Sequence, residues 1–209
     1  MKIIDISWPI SPTVTEYKDR RTVTFDAAKI FERDGVRESV ISMNVHTGTH
    51  VDAPAHFLQH GSTIDTTPLV SLVGSCVVLD CTDVKDAITA EHLELYADLC
   101  GAGDIVLLKT INSDEPAEGP FNKNFVFLSG SGAQFLADIE VKAVGIDYLG
   151  IERGQADHAT HEILLSRSIP IIEGLRLAAV QAGNYFVCVA PLLVQGLEAA
   201  PARAFLIEE

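Results

Sequence analysis

Apolar and polar residues alternate along this chain in short bursts rather than long stripes. Runs at residues 3–7, 23–25, 39–45, 76–80, 105–109, 142–146, 185–190 and 204–207 are rich in Val, Ile and Phe and are bounded by Gly, Pro, Asp or Ser. Each of them predicts a β-strand. Helical spacing is rarer. Leu93, Tyr96, Ala97 and Cys100 recur on one face, Thr89 is placed to cap that segment and Gly101 to end it, predicting a helix over 90–99. Ser131 is placed to cap a second helix reaching residue 139, and residues 159–167 predict a third. The apolar stretch 177–194 is broken by Gln181, Gly183, Asn184 and Pro191. That pattern suits a helix, a turn and a buried strand rather than a membrane span. Strands come early and late, with helices mixed into the second half. The expected fold class is α/β: one domain over 1–209 with a mixed, largely antiparallel sheet and flanking helices, not a regular doubly wound fold.

Charge narrows the partners. The chain carries 29 Asp and Glu against 15 Lys and Arg, a formal net charge of −14. Such a surface repels phosphate backbones and anionic lipid, so no nucleic-acid and no membrane partner is expected. In the opening stretch MKIIDISWPISP, Asp5 and Pro9 interrupt what a secretory signal would need as an unbroken apolar run. Cys76, Cys81, Cys100 and Cys188 form no C-x-x-C pair and read as buried thiols in a reducing compartment. A cytoplasmic location is expected.

The chemistry concentrates at residues 46–57, HTGTHVDAPAHF, where His46, His50, Asp52 and His56 crowd together. A metal needs several lone-pair donors converging on one point, and imidazole with carboxylate is a donor set for zinc or manganese. Gly48, the β-branched Thr47, Thr49 and Val51, and Pro54 argue against a helix here. In an extended chain His50 and Asp52 face the same way while Val51 points into the core. Gly48 lets the backbone bend so that His46 joins them, and Pro54 stiffens the exit that carries His56. Three ligands leave a site open to water, whose pKa a bound metal lowers to about 7. His56 is then free as general acid/base.

These residues resemble the H-x-G-T-H-x-D-x-P-x-H motif of the metal-dependent cyclase family, which includes bacterial kynurenine formamidases (arylformamidases). The resemblance continues in DISWPISP near the start, VGIDYLGIE at 144–152, HEILLSRSIPIIEGL at 161–175 and PLLVQGLEAAPARAFL near the end. It implies a swivelling β/α-type cyclase fold, a homodimer or higher oligomer, and one or two ions, Zn2+ with Mn2+ as the alternative. By position His46, His50 and Asp52 match ligands of the first metal, and Asp52 bridges to a second. His161 and Glu173, twelve residues apart, match that second metal's other ligands, and His56 matches the acid/base. Read without the resemblance, His158 and Glu162 compete with His161, and Glu173 after the apolar IPII run is an isolated carboxylate in need of a partner. His60 and His92 read as solvated residues, and Asp65 and Arg203 as structural pairing residues outside the site. One segment departs from the family: an aromatic-Pro-Gly-Asp stretch after the first strand is replaced by VTEYKDRRTV, with Tyr17 in place of the aromatic.

The implied activity is metal-dependent hydrolysis of a small-molecule amide, N-formyl-L-kynurenine going to L-kynurenine and formate. A cyclic imide or isatin-like lactam is the alternative substrate, and a non-enzymatic metal-binding protein the alternative class. LSGSGAQF at 128–135 lacks the spacing of a serine-hydrolase elbow, and GAGDIV from Gly101 lacks the last glycine of a dinucleotide fingerprint.

Overall fold

The computed structural model describes residues 1–208. It contains twelve strands: β1 (Lys2–Asp5), β2 (Thr24–Lys29), β3 (Glu38–Ser42), β4 (His50–Asp52), β5 (Val73–Asp80) and β6 (Ala87–Ile88) in the first half. β7 (Ile105–Lys109), β8 (Phe127–Leu128), β9 (Ala143–Ile146), β10 (Ile171–Glu173), β11 (Gly183–Pro191) and β12 (Ala199–Glu208) follow. The α-helices are α1 (Phe31–Asp34), α2 (Ala90–Glu94), α3 (Gly130–Asp138) and α4 (Ala159–Ser166).

Seven strands close on themselves. The order β12-β11-β5-β7-β9-β10-β4 returns to β12 through a β4–β12 pairing, and β1 adds to the free edge of β12. Neighbours are parallel from β5 to β10 and antiparallel elsewhere. The expectation of a mixed, largely antiparallel sheet with flanking helices is therefore corrected to a closed mixed barrel with few helices. Closure depends on β4 and β10, three residues each, which are too short for the sequence to announce their pairing partners.

Strand alternation sorts side chains into two cores. Val51, Cys76, Val78, Ile105, Leu107, Ala143, Ile172, Val187, Val189, Ala200, Ala204 and Leu206 form one buried cluster drawn from all seven barrel strands, the lumen. The intervening residues Val77, Leu79, Val106, Leu108, Val144, Ile146 and Ile171 face outward and pack with Leu93, Leu136, Ala137, Leu164 and Leu165 from α2, α3 and α4. His50, Asp52 and Glu173 alternate with the lumen residues Val51 and Ile172, so they project from the outer wall.

Several local expectations need correction. Helix α2 ends at Glu94 instead of residue 99, because the chain tightens into turns: Tyr96 N–H donates to Leu93 O and Leu99 N–H to Tyr96 O, both at 2.9 Å. His92 does more than face solvent; its Nδ1 accepts from the Thr89 N–H at 3.1 Å and closes the start of α2. Ser129, not Ser131, caps α3 by accepting from Gly132 N–H at 3.2 Å. No helix follows Leu177; the chain turns through 178–179 into β11. The thiols of all four cysteines are free, three of them buried. No helix among the described residues is long and apolar enough to cross a membrane. Strands β2 and β3 form a ribbon with every residue exposed, paired only with each other.

One close approach locks the wall that carries His50. The Thr49 hydroxyl donates to Gly174 O at 2.6 Å and accepts from Trp8 N–H at 2.7 Å. At Gly174 φ is +70°, and a Cβ there would sit 2.2 Å from Gly48 O. Gly174→Ala is therefore expected to lower the unfolding free energy by about 2–4 kcal/mol, through backbone strain plus a clash that neither strand can relieve. A urea denaturation midpoint equal to that of the parent protein would contradict this.

Candidate metal centre

The site is assembled from four pieces of chain. β4 lies between β10 and β12, with Glu173 directly opposite His50 and both Ile171 and Ala199 opposite Asp52. That register puts the Glu173 carboxylate beside the His50 imidazole, and the pleat sends Asp52 to the same side two residues on. Ahead of β4, Asn44 accepts from His46 N–H at 2.9 Å in a turn that swings His46 over Asp52. After β4, Pro54 opens a single 3-10 turn that ends in His56. Helix α4 brings His161 from its buried face.

All six residues singled out from the sequence converge. His50 and Asp52 are fully buried, Glu173 and His161 nearly so. His46 and His56 complete the cluster with rings 4.2 Å apart, and Phe57 stacks on His161 at 4.2 Å. His158 and Glu162 stay out of the donor cluster: Glu162 is exposed on α4, and His158, exposed just ahead of it, lines the cavity above the cluster and pairs with Glu152.

The spacing of the donor atoms tests whether a metal fits. Two ligands each about 2.1 Å from a tetrahedral ion lie about 3.4 Å apart. His50 Nε2 is 3.4 Å from Asp52 Oδ1 and 3.4 Å from Glu173 Oε2. His161 Nε2 is 3.6 Å from Glu173 Oε1 and 3.8 Å from Asp52 Oδ2. His46 Nδ1 approaches Asp52 Oδ1 at 2.9 Å. Both Asp52 oxygens and His50 Nε2 are nevertheless buried without a hydrogen-bond partner. Asp52 belongs to two donor groups, one with His46 and His56 and one with His50 and Glu173, each with its atoms within 4.8 Å of one another. Those buried acceptors at ligand spacing, among which only Asp52 Oδ1 has a close partner in His46, fit a divalent metal.

Residues behind the donors hold them in place. His50 Nδ1 lies 2.9 Å from Gly48 O, which can only accept, so Nδ1 carries the proton and Nε2 presents a lone pair to the cluster. Ile151 N–H donates to Glu173 Oε1 at 2.6 Å. Two such residues were missed from the sequence. Glu152 is buried, with Oε2 2.9 Å from His161 Nδ1 and Oε1 on His158. Glu198 Oε1 lies 3.3 Å from His46 Nε2. A signal existed for Glu152, which follows the apolar Leu149 and Ile151 much as Glu173 follows its own apolar run. For Glu198 no local signal exists.

Without a metal the carboxylates demand protons instead. Burial pulls the His50 pKa down, but Asp52, Glu173 and the Gly48 carbonyl outweigh it and push it up to about 9. Burial opposes Glu152, Glu173 and Asp52 in the same way at His161, which rises to about 10. Glu173 is held below the usual carboxylate range: burial raises it, and His161 and His50 more than compensate. His56 moves the other way, lowered mainly by burial and further by His46 and His161.

The barrel and its cluster define a metal-binding protein. Residues 4–153 match the family model described as putative cyclase, and the chain belongs to that family. Kynurenine formamidase from Salinibacter ruber is 33% identical, covering 99% of this chain and 97% of that protein. A solved structure described as a potential metal-dependent hydrolase with cyclase activity is 43% identical, with a TM-score of 0.89 over 100% of this chain and 99% of the other. An isatin hydrolase bound to the product analogue thioisatinate shares the fold at a TM-score of 0.87, with 19% identity over 100% of this chain and 93% of the other.

In the metal-free protein His50 and His161 are expected to titrate near 9 and 10, and His56 below its ordinary value, as read from histidine ring signals in NMR. Raised pKa values imply that this contribution to metal-free stability is complete below about pH 6.5 and is lost as pH climbs through 9–10. Ring signals of His50 and His161 that titrate together near 6.5 would overturn this assignment.

Proposed function

We propose that this chain is a metal-dependent hydrolase of small amides, with N-formyl-L-kynurenine as its leading substrate. The observation that carries the reading is the convergence of His50, His161 and Glu173 on the fully buried Asp52, with donor atoms 3.4–3.8 Å apart. Family membership and the 33% identity to a kynurenine formamidase support the same reaction class.

His46, His50 and Asp52 are the proposed ligands of one ion, and Asp52, His161 and Glu173 those of a second. The two oxygens of Asp52 face different partners, Oδ1 toward His46 and His50 and Oδ2 toward His161, which supports a bridging role. A nitrogen and oxygen donor set without thiolate favours Zn2+, with Mn2+ as the alternative. When bound, such an ion supplies Lewis acidity and a water that ionises near neutral pH.

The chain's own residues do the rest. A cavity of about 220 Å³ opens over the cluster, lined by His46, His56, Phe57, Leu149, His161 and Glu173 among others. Phe57 and Leu149 give it apolar walls for an aryl group. His56, kept neutral by burial, can take the proton of the attacking water. It then returns that proton to the aryl nitrogen as the C–N bond breaks and the new C–O bond makes formate. Glu152 behind His161 and Glu198 behind His46 hold those rings in orientation.

Purified protein is expected to hydrolyse N-formyl-L-kynurenine, to lose that activity after chelation and to regain it with zinc or manganese. Turnover that persists after complete removal of metal would sink the reading. Bound metal with no turnover on this compound would redirect the search to cyclic imides and lactams.

His56→Ala separates a base from a ligand. The expected outcome is unchanged metal content with kcat reduced by about 10²–10⁴-fold, the usual effect of a positioned acid/base. Loss of a metal equivalent in this variant would make His56 a ligand instead.

A further inference from the structure

The segment that departs from the family pattern, residues 17–20, forms the mouth of the same cavity: Tyr17, Lys18 and Arg20 line it together with His56, His161 and Glu173. Tyr17 is braced edge-on against Phe121 at 4.9 Å. Lys18 Nζ sits 4.9 Å from the Tyr17 ring centre and Arg20 Cζ 5.8 Å from it, so the aromatic ring and both cations share one lip.

The acids of this segment are turned elsewhere. Asp19 accepts from Phe121 N–H at 2.9 Å. Glu16 is buried and accepts from Thr22 N–H at 2.8 Å, Thr22 Oγ1 at 2.8 Å and Val23 N–H at 3.1 Å. The turn achieves this with Lys18, Asp19 and Arg21 all in the left-handed region, at φ of 55°, 57° and 54°. Non-glycine residues adopt that conformation at a cost and cluster at functional sites. Among the described residues the ion pairs of Lys and Arg with carboxylates are made by Lys2, Lys29, Arg33, Arg153, Arg167 and Arg203. Lys18 and Arg20 make none. In a chain of net charge −14, two cations free of carboxylate partners at the cavity mouth stand against the overall charge.

We propose that Tyr17, Lys18 and Arg20 form a recognition lip that selects aryl amides bearing a carboxylate. The substrate ring packs against Tyr17 and Phe57, and its carboxylate takes the two cations. A neutral lactam or imide leaves both cations with water. The carboxylate gains charge-assisted hydrogen bonds, bidentate where Arg20 is the donor. This inference rests on the amide-hydrolase reading and narrows it to anionic aryl substrates.

The test compares two substrates differing only in the carboxylate, 2-formamidobenzoate and formanilide, on metal-replete protein. It uses the parent and the variants Lys18→Gln, Arg20→Gln and the double variant. Both side chains are exposed, so these changes leave the core untouched. The parent is expected to prefer 2-formamidobenzoate in kcat/KM, and the double variant to lose about 10–100-fold of that preference, mainly through KM. Arg20→Lys should restore part of it. An unchanged preference in the double variant overturns the lip. If neither compound turns over, the hydrolase reading is what has failed for this substrate class, and the lip is judged by binding. Calorimetric titration of 2-aminobenzoate should then be tight on the parent and weakened about 10–100-fold by the double variant. Equal binding to both would assign the carboxylate to the metal and overturn the proposal.

Discussion

Two carboxylates buried side by side set the terms for this structure. Asp52 and Glu173 project from neighbouring strands into a wall almost without water, where each raises the cost of ionising the other. Only positive charge resolves that conflict, and the fold supplies the means to hold it. β4 is clamped between β10 and β12, so His50 cannot drift from Glu173. The Thr49 hydroxyl ties the strand to Gly174 and to Trp8, which fixes the wall from a third direction. Protons on His50 and His161 balance the charge in the metal-free state, and a bound ion would displace them.

The positive charge is also guarded from behind. Glu152, Glu198 and the Gly48 carbonyl each stand at the far nitrogen of a ring, so three imidazoles are oriented before any ion arrives. His56 is the exception. It has no such partner, its pKa falls instead of rising, and it faces the cavity. That contrast between oriented rings and one unencumbered ring is what the acid/base role proposed for His56 would require.

How much of this could be read beforehand follows from the range of each interaction. His46, His50, Asp52 and His56 lie within one local segment whose Gly, Pro and strand alternation dictate their directions, so the cluster was legible from residue types alone. His161 and Glu173 were reached through family resemblance, because α4 and β10 meet β4 only in three dimensions. Glu198 was invisible, since its meeting with His46 depends on the β4–β12 pairing that closes the barrel. That same closure was the largest error in the expected fold. Strands of three residues carry too little pattern to announce a pairing, and an open sheet and a barrel can share one set of strands. Helix α2 stopped early because its second half satisfies its backbone through tighter turns, a choice that side-chain periodicity does not record.

Placing the donors outside the barrel separates what packs from what binds. The lumen is filled by apolar side chains from all seven strands, β4 and β10 included, while His50, Asp52 and Glu173 of those two strands point the other way, out from the barrel wall. The 54–57 turn, the 17–20 segment and the start of α4 are draped over that wall from outside. Of these, only the 17–20 segment carries none of the proposed ligands and not His56, so it can change without touching either the donors or the lumen. Substrate choice can then be varied at one exposed segment while the packing of the barrel and the geometry of the donor cluster stay as they are.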